Sequence, residues 1–311
     1  MNSRFTLPPQ KEIFSAVSII VIYLLATARF IGFRLEHALV TLTFLSFFFA
    51  SERSRKLIVG LIPFFIFAIS YDWMRVFPNY HVNPIDVEDL FNLEKKLFGI
   101  TEHGIEKIPS EYFLHHNHPI GDFFTGLFYL AWVPVPVAFG VFLHVKNHKR
   151  IFLQFSMVFL LVNLIGFIIY YLHPAAPPWY VMLHGFERVL DVSGNRAGLS
   201  RFDDLIGFPL FNSIYGRNSN VFAAVPSLHS SYLVVVLFYA IKDKRKPIVL
   251  AIIALFMCGI WFTAVYTAHH YIIDVLLGIL CALAGIFLFE CVLIKLRFFK
   301  LFFNRYLNYI Q

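Results

Sequence analysis

Long apolar segments alternate with short polar connections along most of the chain. These segments are long enough for transmembrane helices, which satisfy their backbone hydrogen bonds internally, and the strict alternation typical of a membrane β-barrel is absent. We expect about eight spans. They lie near residues 13–33, 36–50, 57–73, 122–144, 151–172, 226–241, 247–267 and 270–294, of which the second and the sixth are short.

The composition agrees with an integral membrane protein. Of the 311 residues, 59% are hydrophobic and only 14% are charged, and the mean hydropathy is +0.69. We therefore expect an all-α, polytopic membrane helix bundle that forms a single domain over residues 1–311. Within it, N-terminal helices occupy residues 13–73, and a catalytic core over 122–294 includes an external loop at 173–225. The first apolar run has the length of a span, which predicts an uncleaved helix.

The basic residues of the short connections indicate the orientation in the membrane. Residues 53–56, 146–150 and 242–246 fall on one side of an eight-span bundle, and the positive-inside rule makes that side cytoplasmic. The basic and aromatic C-terminal stretch lies there too and resembles an interfacial anchor. Since the charges are divided among loops, the net charge of +7 does not indicate nucleic-acid binding. The long connections 74–121 and 173–225 then lie on the non-cytoplasmic face.

Polar residues interrupt the apolar pattern at two places that enter the membrane from that face. His269, His270 and Asp274 lie at the start of the last span, and His229 lies near the start of the sixth. Four residues apart on a helix, His270 and Asp274 share a face, so the aspartate can orient the imidazole. His270 is then a candidate to form a phosphohistidine, with His229 protonating the departing oxygen. The alternatives are a structural buried ion pair and a transporter whose histidines conduct protons.

Residues around these histidines are candidates for substrate binding. Pro226 suits the first turn of a helix, where the free amides of Ser227 and the next residue would face a phosphate. The simpler interpretation is that Pro226 and Ser227 only begin a span. We interpret His269 as a helix-start residue or a substrate contact rather than a second nucleophile.

Metal or cofactor chemistry is not expected. Neighbouring histidines such as His269 and His270 project about 100° apart on a helix, which is unfavourable for joint metal coordination. Cys258, Cys281 and Cys291 lie inside predicted spans without metal-ligand spacing. They predict neither a zinc site nor a disulfide framework.

Three motifs resemble those of inositol phosphorylceramide synthases, a branch of the type-2 phosphatidic acid phosphatase superfamily. They are residues 173–180, 226–230 and 269–274. The resemblance implies that His270 is the phosphoryl-accepting nucleophile, Asp274 its partner and His229 the second catalytic histidine. It further implies phosphatidylinositol as donor and ceramide as acceptor, so that the partners are phospholipid and sphingolipid-type membrane substrates. The alternative within the superfamily is a lipid phosphate phosphatase, in which water replaces the acceptor hydroxyl.

The resemblance also has a cellular implication. The active site would lie on the non-cytoplasmic face, which is the outer side of the inner membrane in a bacterium or a Golgi-like lumen in a eukaryote.

Departures from the broader superfamily concern the groups that bind phosphate. The phosphatase motif containing Arg-Pro is absent, Leu228 replaces the glycine of the second motif, and Thr263 and Ala264 replace a Ser-Arg pair. A phosphate-binding arginine is therefore missing, although a phosphoryl transition state requires positive charge nearby. Arg75, at the end of the third span, is the first candidate, with an interfacial anchor as the alternative. Further candidates are Arg188, Arg196, Arg201 and Arg217.

The two long connections carry weaker signals. Prolines next to Trp179 and several glycines predict that the loop 173–225 is partly ordered and caps the site, with Trp179 touching substrate. An ordinary loop with an interfacial tryptophan is the alternative. Acidic and apolar residues alternate with helical spacing over 85–98, which predicts an amphipathic helix along the membrane surface that helps to admit lipid laterally.

Overall fold

The structure, a computed structural model, describes residues 7–216 and 218–311, and it is mainly helical. Arg217 lies outside the described residues. The α-helices are α1 Gln10–Phe30, α2 Leu35–Ala50, α3 Glu52–Gly60, α4 Ile62–Trp73, α5 Glu88–Phe98, α6 Pro109–His115, α7 Pro119–Leu130, α8 Pro134–Val145, α9 Lys149–Leu172, α10 Pro178–His184, α11 Ser200–Ile206, α12 Leu210–Tyr215, α13 Leu228–Lys242, α14 Pro247–Tyr266, α15 Ile272–Phe287 and α16 Arg297–Ile310. Strands β1 Ile100–Glu102 and β2 Ile105–Lys107 form an antiparallel hairpin.

Fewer helices than predicted qualify as membrane spans by length and composition among the described residues. Within the described residues, four qualify by length and composition: α1, α9, α14, and α15 with its continuation to Lys295. Two bent pairs, α3 with α4 and α7 with α8, raise the number to six if each pair counts as one span. Helices α2 and α13, which match the predicted second and sixth spans, are apolar but shorter. These helices fit a multi-pass integral membrane protein, but the predicted count of eight spans is not confirmed.

The bends explain part of this difference. The axes of the bent pairs turn by 48° between α3 and α4 and by 45° between α7 and α8. Pro63 and Pro134 lie at the starts of α4 and α8, where a missing amide proton is tolerated but the preceding helix cannot continue. The predicted spans 57–73 and 122–144 each cross one of these breaks.

Helix α9 lies at the centre of the bundle and packs against α4, α8, α13 and α15. Its buried face is rich in aromatic rings: the Phe159 ring lies 4.4 Å from that of Phe64 on α4 and 4.6 Å from that of Tyr232 on α13. Offset aromatic contacts of this kind add to the stabilisation from burying apolar area. Helix α9 thus provides a rigid support for α13 and α15.

Helices α13 and α15 approach each other closely because Gly278 has no side chain. A Cβ atom at Gly278 would lie 2.1 Å from the carbonyl oxygen of Ser227. The Ser231 hydroxyl donates a hydrogen bond to the Gly278 carbonyl at 2.6 Å, and the Ser227 amide donates to the Asp274 carbonyl at 2.9 Å. The first turns of the two helices, which carry His229 and Asp274, therefore meet.

The two long connections are tied together at the same end of the bundle. The Asp86 amide donates to the Pro174 carbonyl at 2.8 Å, and the Ala175 amide donates to the Phe222 carbonyl at 3.1 Å. Helices α10 to α12 form within 173–225, which confirms for the described residues that this loop is partly ordered. Helix α5 confirms the predicted amphipathic helix, although it starts later than expected, at Glu88.

The C-terminal helix α16 packs one face against the bundle. Phe303, Leu307 and Ile310 are buried, whereas Phe298 on the other face is 85% exposed. Helix α16 contacts α3 and α9, and Arg150 near the start of α9 lies over the Phe303 ring at 5.6 Å. This amphipathic arrangement agrees with the interfacial character predicted for the C-terminal stretch.

Candidate active site

His229 is held by aromatic rings at the start of α13. Its ring stacks on that of Tyr129 at 4.9 Å between centroids, with 24° between the planes. Trp132 contacts it edge-on at 4.5 Å. Tyr129 lies in the last turn of α7 and Trp132 lies just after that helix, so the break between α7 and α8 brings two aromatic rings to the imidazole. The position of His229 therefore depends on packing between distant segments.

His270 lies in the turn between α14 and α15, not on the helix as predicted. The helix begins at Ile272, and the amides of His269 and His270 both donate to the Ala264 carbonyl, at 3.0 and 2.9 Å. The Nδ1 atom of His270 lies 3.3 Å from Asp274 Oδ2 and 3.1 Å from the Ala224 carbonyl oxygen. The close approach of His270 and Asp274 comes from this turn instead of from helical spacing.

Asp274 has two functions in the local structure. Its Oδ2 atom accepts a hydrogen bond from the Tyr271 amide at 2.9 Å, which caps the N-terminus of α15, and the same oxygen faces His270. The side chain of Asp274 is fully buried. A carboxylate fixed by a backbone amide gives the imidazole a rigid partner.

The two histidine rings contact each other directly. His229 Nδ1 lies 3.2 Å from His270 Nε2. We assign the proton of His270 to Nδ1, because both neighbours of that atom are oxygen acceptors. The lone pair of His270 is then on Nε2, and His229 Nδ1 donates a proton to it. His229 and His270 are thus arranged as hydrogen-bond donor and acceptor, a geometry that acid–base and nucleophilic chemistry can use.

His269 presents a hydrogen-bond acceptor to the adjoining cavity. Its Nδ1 atom lies 2.9 Å from the Thr267 hydroxyl, which itself donates to the Thr263 carbonyl. His269 Nδ1 must therefore donate, and Nε2, which is buried without a partner, has its lone pair free. Burial lowers the pKa of His269 to about 3, so the ring is neutral at physiological pH.

A cavity of about 170 Å³ opens beside the histidines. His229, His269 and His270 line it together with aromatic rings and the amides Asn218 and Asn220. The aromatic residues are Phe67, Tyr71, Tyr129, Trp132, Phe167, Tyr170, Trp179, Phe211, Tyr215 and Tyr232. No Arg or Lys is among the described residues that line the cavity. The cavity is therefore uncharged apart from the imidazoles.

The predicted substrate-binding residues differ in position. Trp179 and His269 line the cavity, whereas Pro226 and Ser227 are buried and are not among its lining residues. Helix α13 begins at Leu228, two residues after Pro226, and the Ser227 amide is used by the Asp274 carbonyl. Neither residue therefore offers a free backbone amide to the cavity, and a substrate-binding role for Pro226 and Ser227 stays a prediction.

Arg75 lies beside the cavity in a charged cluster. Its Nη2 atom lies 2.9 Å from Asp72 Oδ1 and donates to the Ser219 hydroxyl at 2.8 Å. Asp72 also pairs with Arg34 at 2.5 Å and with His37 at 3.0 Å. Ser219 lies between Asn218 and Asn220, which line the cavity. The guanidinium group of Arg75 thus contacts the segment that forms one cavity wall.

The other candidate arginines are engaged elsewhere or exposed. Arg196 pairs with Asp203 at 3.2 Å, and Arg201 pairs with Asp122 at 2.6 Å. Arg188 is exposed, and Arg217 lies outside the described residues. Among the candidate arginines that the structure describes, Arg75 is the one that contacts the 218–220 segment of the cavity wall.

Sequence reasoning missed several residues of the site. Glu94 on α5 is 1% exposed and accepts hydrogen bonds from the amides of Ile272 and Ile273. Burial raises the pKa of Glu94 to about 7. A signal was present, because Glu94 follows Leu90 and Phe91 at helical spacing and so lies on the apolar face of α5. Tyr129, Trp132 and the asparagines of the cavity carried no local signal.

No metal site is formed by the part of the chain that the structure describes. In residues 7–216 and 218–311, no group of three or more His, Cys, Asp or Glu side chains is placed to hold a metal ion. His270 already uses Nδ1 toward Asp274 and Nε2 toward His229.

A family model decides the relationship of the chain to known proteins. The model of the PAP2 superfamily, the type-2 phosphatidic acid phosphatases, matches residues 88–288. The chain belongs to the PAP2 superfamily. The matched part runs from α5 into the continuation of α15, so it contains all three catalytic candidates and leaves α1 to α4 outside. No solved structure matches this PAP2 superfamily member.

Curated relatives of this superfamily member include two with informative names. It is 55% identical over 305 residues to phosphoinositol dihydroceramide synthase of Bacteroides thetaiotaomicron, which covers 98% of the chain and 100% of that protein. It is 27% identical over 245 residues to the catalytic subunit of inositol phosphorylceramide synthase of Saccharomyces cerevisiae. That alignment covers 76% of the chain and 57% of the yeast protein. The fold and the family predicted from the motifs are confirmed.

Proposed function

We propose that this PAP2 superfamily member transfers a phosphoinositol head group from a phospholipid to the hydroxyl of a ceramide-type lipid through a phosphohistidine at His270. Its similarity to named synthases supports a phosphotransferase. The observation that carries the mechanism is the orientation of His270, with Nδ1 toward Asp274 and Nε2 at the cavity beside His229.

The first half-reaction releases diacylglycerol. The lone pair on His270 Nε2 forms a bond to phosphorus, and the bond from phosphorus to the diacylglycerol oxygen breaks. His229, as the imidazolium ion, gives its proton to that oxygen. The charge that develops on the His270 ring is stabilised by the carboxylate of Asp274.

The second half-reaction reverses the roles. The acceptor lipid hydroxyl attacks phosphorus, neutral His229 removes its proton, and the bond between phosphorus and His270 Nε2 breaks. His229 and His270 return to their starting protonation states, so protons and charges balance over the cycle. No group outside the protein and the two lipids is consumed.

The contact between the histidines has a consequence for substrate binding. The lone pair that attacks phosphorus is the one that accepts from His229 in the structure. A phosphate group must therefore separate the two rings before it can react. The phosphate then accepts the hydrogen bond that His229 donates to His270 in the structure.

The cavity wall favours transfer over hydrolysis. The reacting Nε2 atom faces aromatic rings, which exclude water and strengthen electrostatic interactions within the site. His269 Nε2 provides a buried acceptor and Asn220 Nδ2 a buried donor, neither with a partner among the described residues, and both suit a polyhydroxylated head group. A phosphatase needs free access for water, which this lining does not favour.

Arg75 is proposed to supply the positive charge that the missing motif arginine would provide. Its contact to Ser219 directs the guanidinium group toward the wall formed by Asn218 and Asn220. We expect Arg75→Gln to lower kcat by about 10- to 100-fold, whereas Arg75→Lys keeps the charge and loses less. The control is Arg188→Gln, which removes one positive charge at an exposed position. Equal activity of Arg75→Gln and wild type would reject this role.

The site is proposed to face the non-cytoplasmic side. His229 lies at one end of α13, and the basic connection that follows Lys242 lies at the other. His148 Nδ1 lies 2.5 Å from Asp243 Oδ1, so two of the basic connections share that opposite end. The positive-inside rule makes this basic end cytoplasmic. The site would then face the outer side of a bacterial inner membrane or a Golgi-like lumen.

The experiment that tests the proposal uses purified protein with labelled phosphatidylinositol, with and without ceramide. Wild type should form a phosphoinositol lipid only when ceramide is present, and His270→Ala should form none. His115→Ala removes an exposed histidine of α6 and serves as the matched control. Release of free inositol phosphate or phosphate instead would identify a hydrolase, and full activity of His270→Ala would exclude the phosphohistidine.

A further inference from the structure

Glu94 is a buried carboxyl group that the proposed chemistry does not use. It lies on the face of α5 that packs against the bundle, together with Leu90 and Phe91, and it is 1% exposed. Leu93 and Leu97 of the same helix are exposed. A carboxyl group is rarely buried to this extent without specific partners.

The partners of Glu94 are backbone amides of the helix that carries Asp274. Oε1 of Glu94 accepts from the Ile272 amide at 2.8 Å, and Oε2 accepts from the Ile273 amide at 3.2 Å. These are the first two residues of α15, whose amides have no acceptor within the helix. A single residue, Glu94, thus pairs the first amides of α15 although it is 178 positions away from Ile272 in sequence.

Two carboxylates therefore share the cap of α15. Asp274 Oδ2 accepts from the Tyr271 amide, and Glu94 accepts from the next two amides. Because Glu94 accepts from the amides of Ile272 and Ile273, Asp274 Oδ2 accepts from only one backbone amide. The same oxygen can therefore also face His270 Nδ1. Without Glu94, the first turn of α15 would have unpaired buried amides that compete for the Asp274 carboxylate.

We propose that Glu94 is a positioning residue that fixes the first turn of α15 and thereby aligns Asp274 with His270. This inference rests on the proposed function of His270 and Asp274. Glu94 touches neither the cavity nor the reacting atoms and acts through the backbone of residues 271–273.

Helix α5 also links this cap to the outer wall of the site. The Phe91 ring lies 5.4 Å from that of Phe186, just after α10, and the Asp86 carbonyl accepts from the Ala176 amide at 2.9 Å. Helix α10 begins two residues later and carries Trp179, which lines the cavity. Through α5, Glu94 therefore fixes the start of α15 relative to the cavity wall. Its loss should disturb the alignment of the reacting groups more than the folding of the bundle.

The test compares Glu94→Ala and Glu94→Gln with Glu88→Gln, which changes an exposed glutamate on the same helix. kcat and KM for phosphoinositol transfer and the thermal midpoint are measured on monodisperse protein. We expect Glu94→Ala to lower kcat by about 10- to 100-fold with KM changed less than about twofold, because small misalignments of reacting groups cost this much. Glu94→Gln keeps one carbonyl acceptor and should recover part of kcat, and Glu88→Gln should match wild type.

The outcomes separate this inference from the proposed function. If Glu94→Ala and Glu94→Gln lower the thermal midpoint but keep wild-type kcat, Glu94 is only a structural cap and the inference is wrong. If Glu94→Ala does not fold, the kcat of Glu94→Gln decides, because its side chain has the same shape. If His270→Ala is as active as wild type, the proposed function fails regardless of the result for Glu94.

Discussion

His229 Nδ1 lies 3.2 Å from His270 Nε2, although the two residues are 41 positions apart and start from different segments of the bundle. The contact forms where Gly278 lets α13 and α15 approach, and the rings of Tyr129 and Trp132 hold His229 against it. The residues proposed as general acid and nucleophile are therefore positioned by packing, which favours a preorganised reaction.

His229→Gln should slow transfer without preventing substrate binding. Glutamine keeps a polar side chain at the position but cannot deliver a proton to the diacylglycerol oxygen, so kcat should fall by about 10²- to 10⁴-fold. The measurement is kcat and KM with labelled phosphatidylinositol and ceramide, with His115→Gln as the control. A donor with a more acidic leaving group should restore part of the rate, and no such recovery would speak against His229 as the acid.

Much of the site was predictable because its chemistry depends on rare polar residues in apolar segments. His229, His270 and Asp274 stood out for that reason, and the structure brings all three within hydrogen-bonding reach. The residues around them did not stand out, because Tyr129 and Trp132 belong to an aromatic-rich chain in which no local pattern marks a contact. Their rings contact His229 only because the end of α7 packs against the start of α13 in the folded protein.

The fold was predictable in class but not in detail. Hydropathy identifies apolar segments but not the breaks at Pro63 and Pro134. It therefore predicts a straight span where the structure has a bent helix pair. Pro226 and Ser227 match a helix-start pattern, yet the helix starts at Leu228, and the Ser227 amide donates to the Asp274 carbonyl of α15. The local sequence around these two residues shows neither this tertiary hydrogen bond nor their burial.

His269→Phe should weaken binding of the phospholipid head group more than it affects chemistry. The substitution keeps a ring against Tyr215, which lies 4.4 Å away, but removes the acceptor at Nε2. Loss of one hydrogen bond to a head-group hydroxyl should raise KM for the donor roughly tenfold, with a smaller change in kcat. His184→Phe, outside the cavity, is the control. A fall in kcat at unchanged KM would instead assign His269 to the chemical step.

Gly278→Ala should separate the helices that carry the two histidines. The new Cβ atom would lie 2.1 Å from the Ser227 carbonyl oxygen and 2.5 Å from the Ser230 hydroxyl, so backbone must move. We expect about 1–3 kcal/mol of lost stability together with loss of most activity. Gly140→Ala on α8 is the matched control, because its Cβ would lie 3.4 Å from the nearest atom, in Phe152. Thermal unfolding and transfer assays of both variants in the same detergent provide the measurement, and equal behaviour of the two would contradict the expectation.

The pairing of His173 with Asp86 should make stability depend on pH near neutrality. His173 Nε2 lies 3.2 Å from Asp86 Oδ2, and this hydrogen bond to the carboxylate raises the pKa of His173 while burial opposes it. The folded protein therefore holds the proton more tightly than the unfolded chain, whose histidine has a pKa of about 6.5. The stabilisation is fully present below pH of about 6.5 and is lost as pH rises through the raised pKa of the folded protein.

Because the His173 side chain is 48% exposed, solvent screening limits this stabilisation to less than about 1 kcal/mol. His173→Gln should remove the dependence, so that its thermal midpoint lies below that of wild type at pH 6 and converges with it at alkaline pH. The measurement is thermal unfolding of both proteins across this pH range, with His115→Gln as the control. A constant difference between wild type and His173→Gln at every pH would show that the ring stabilises the two connections by packing and not through its charge.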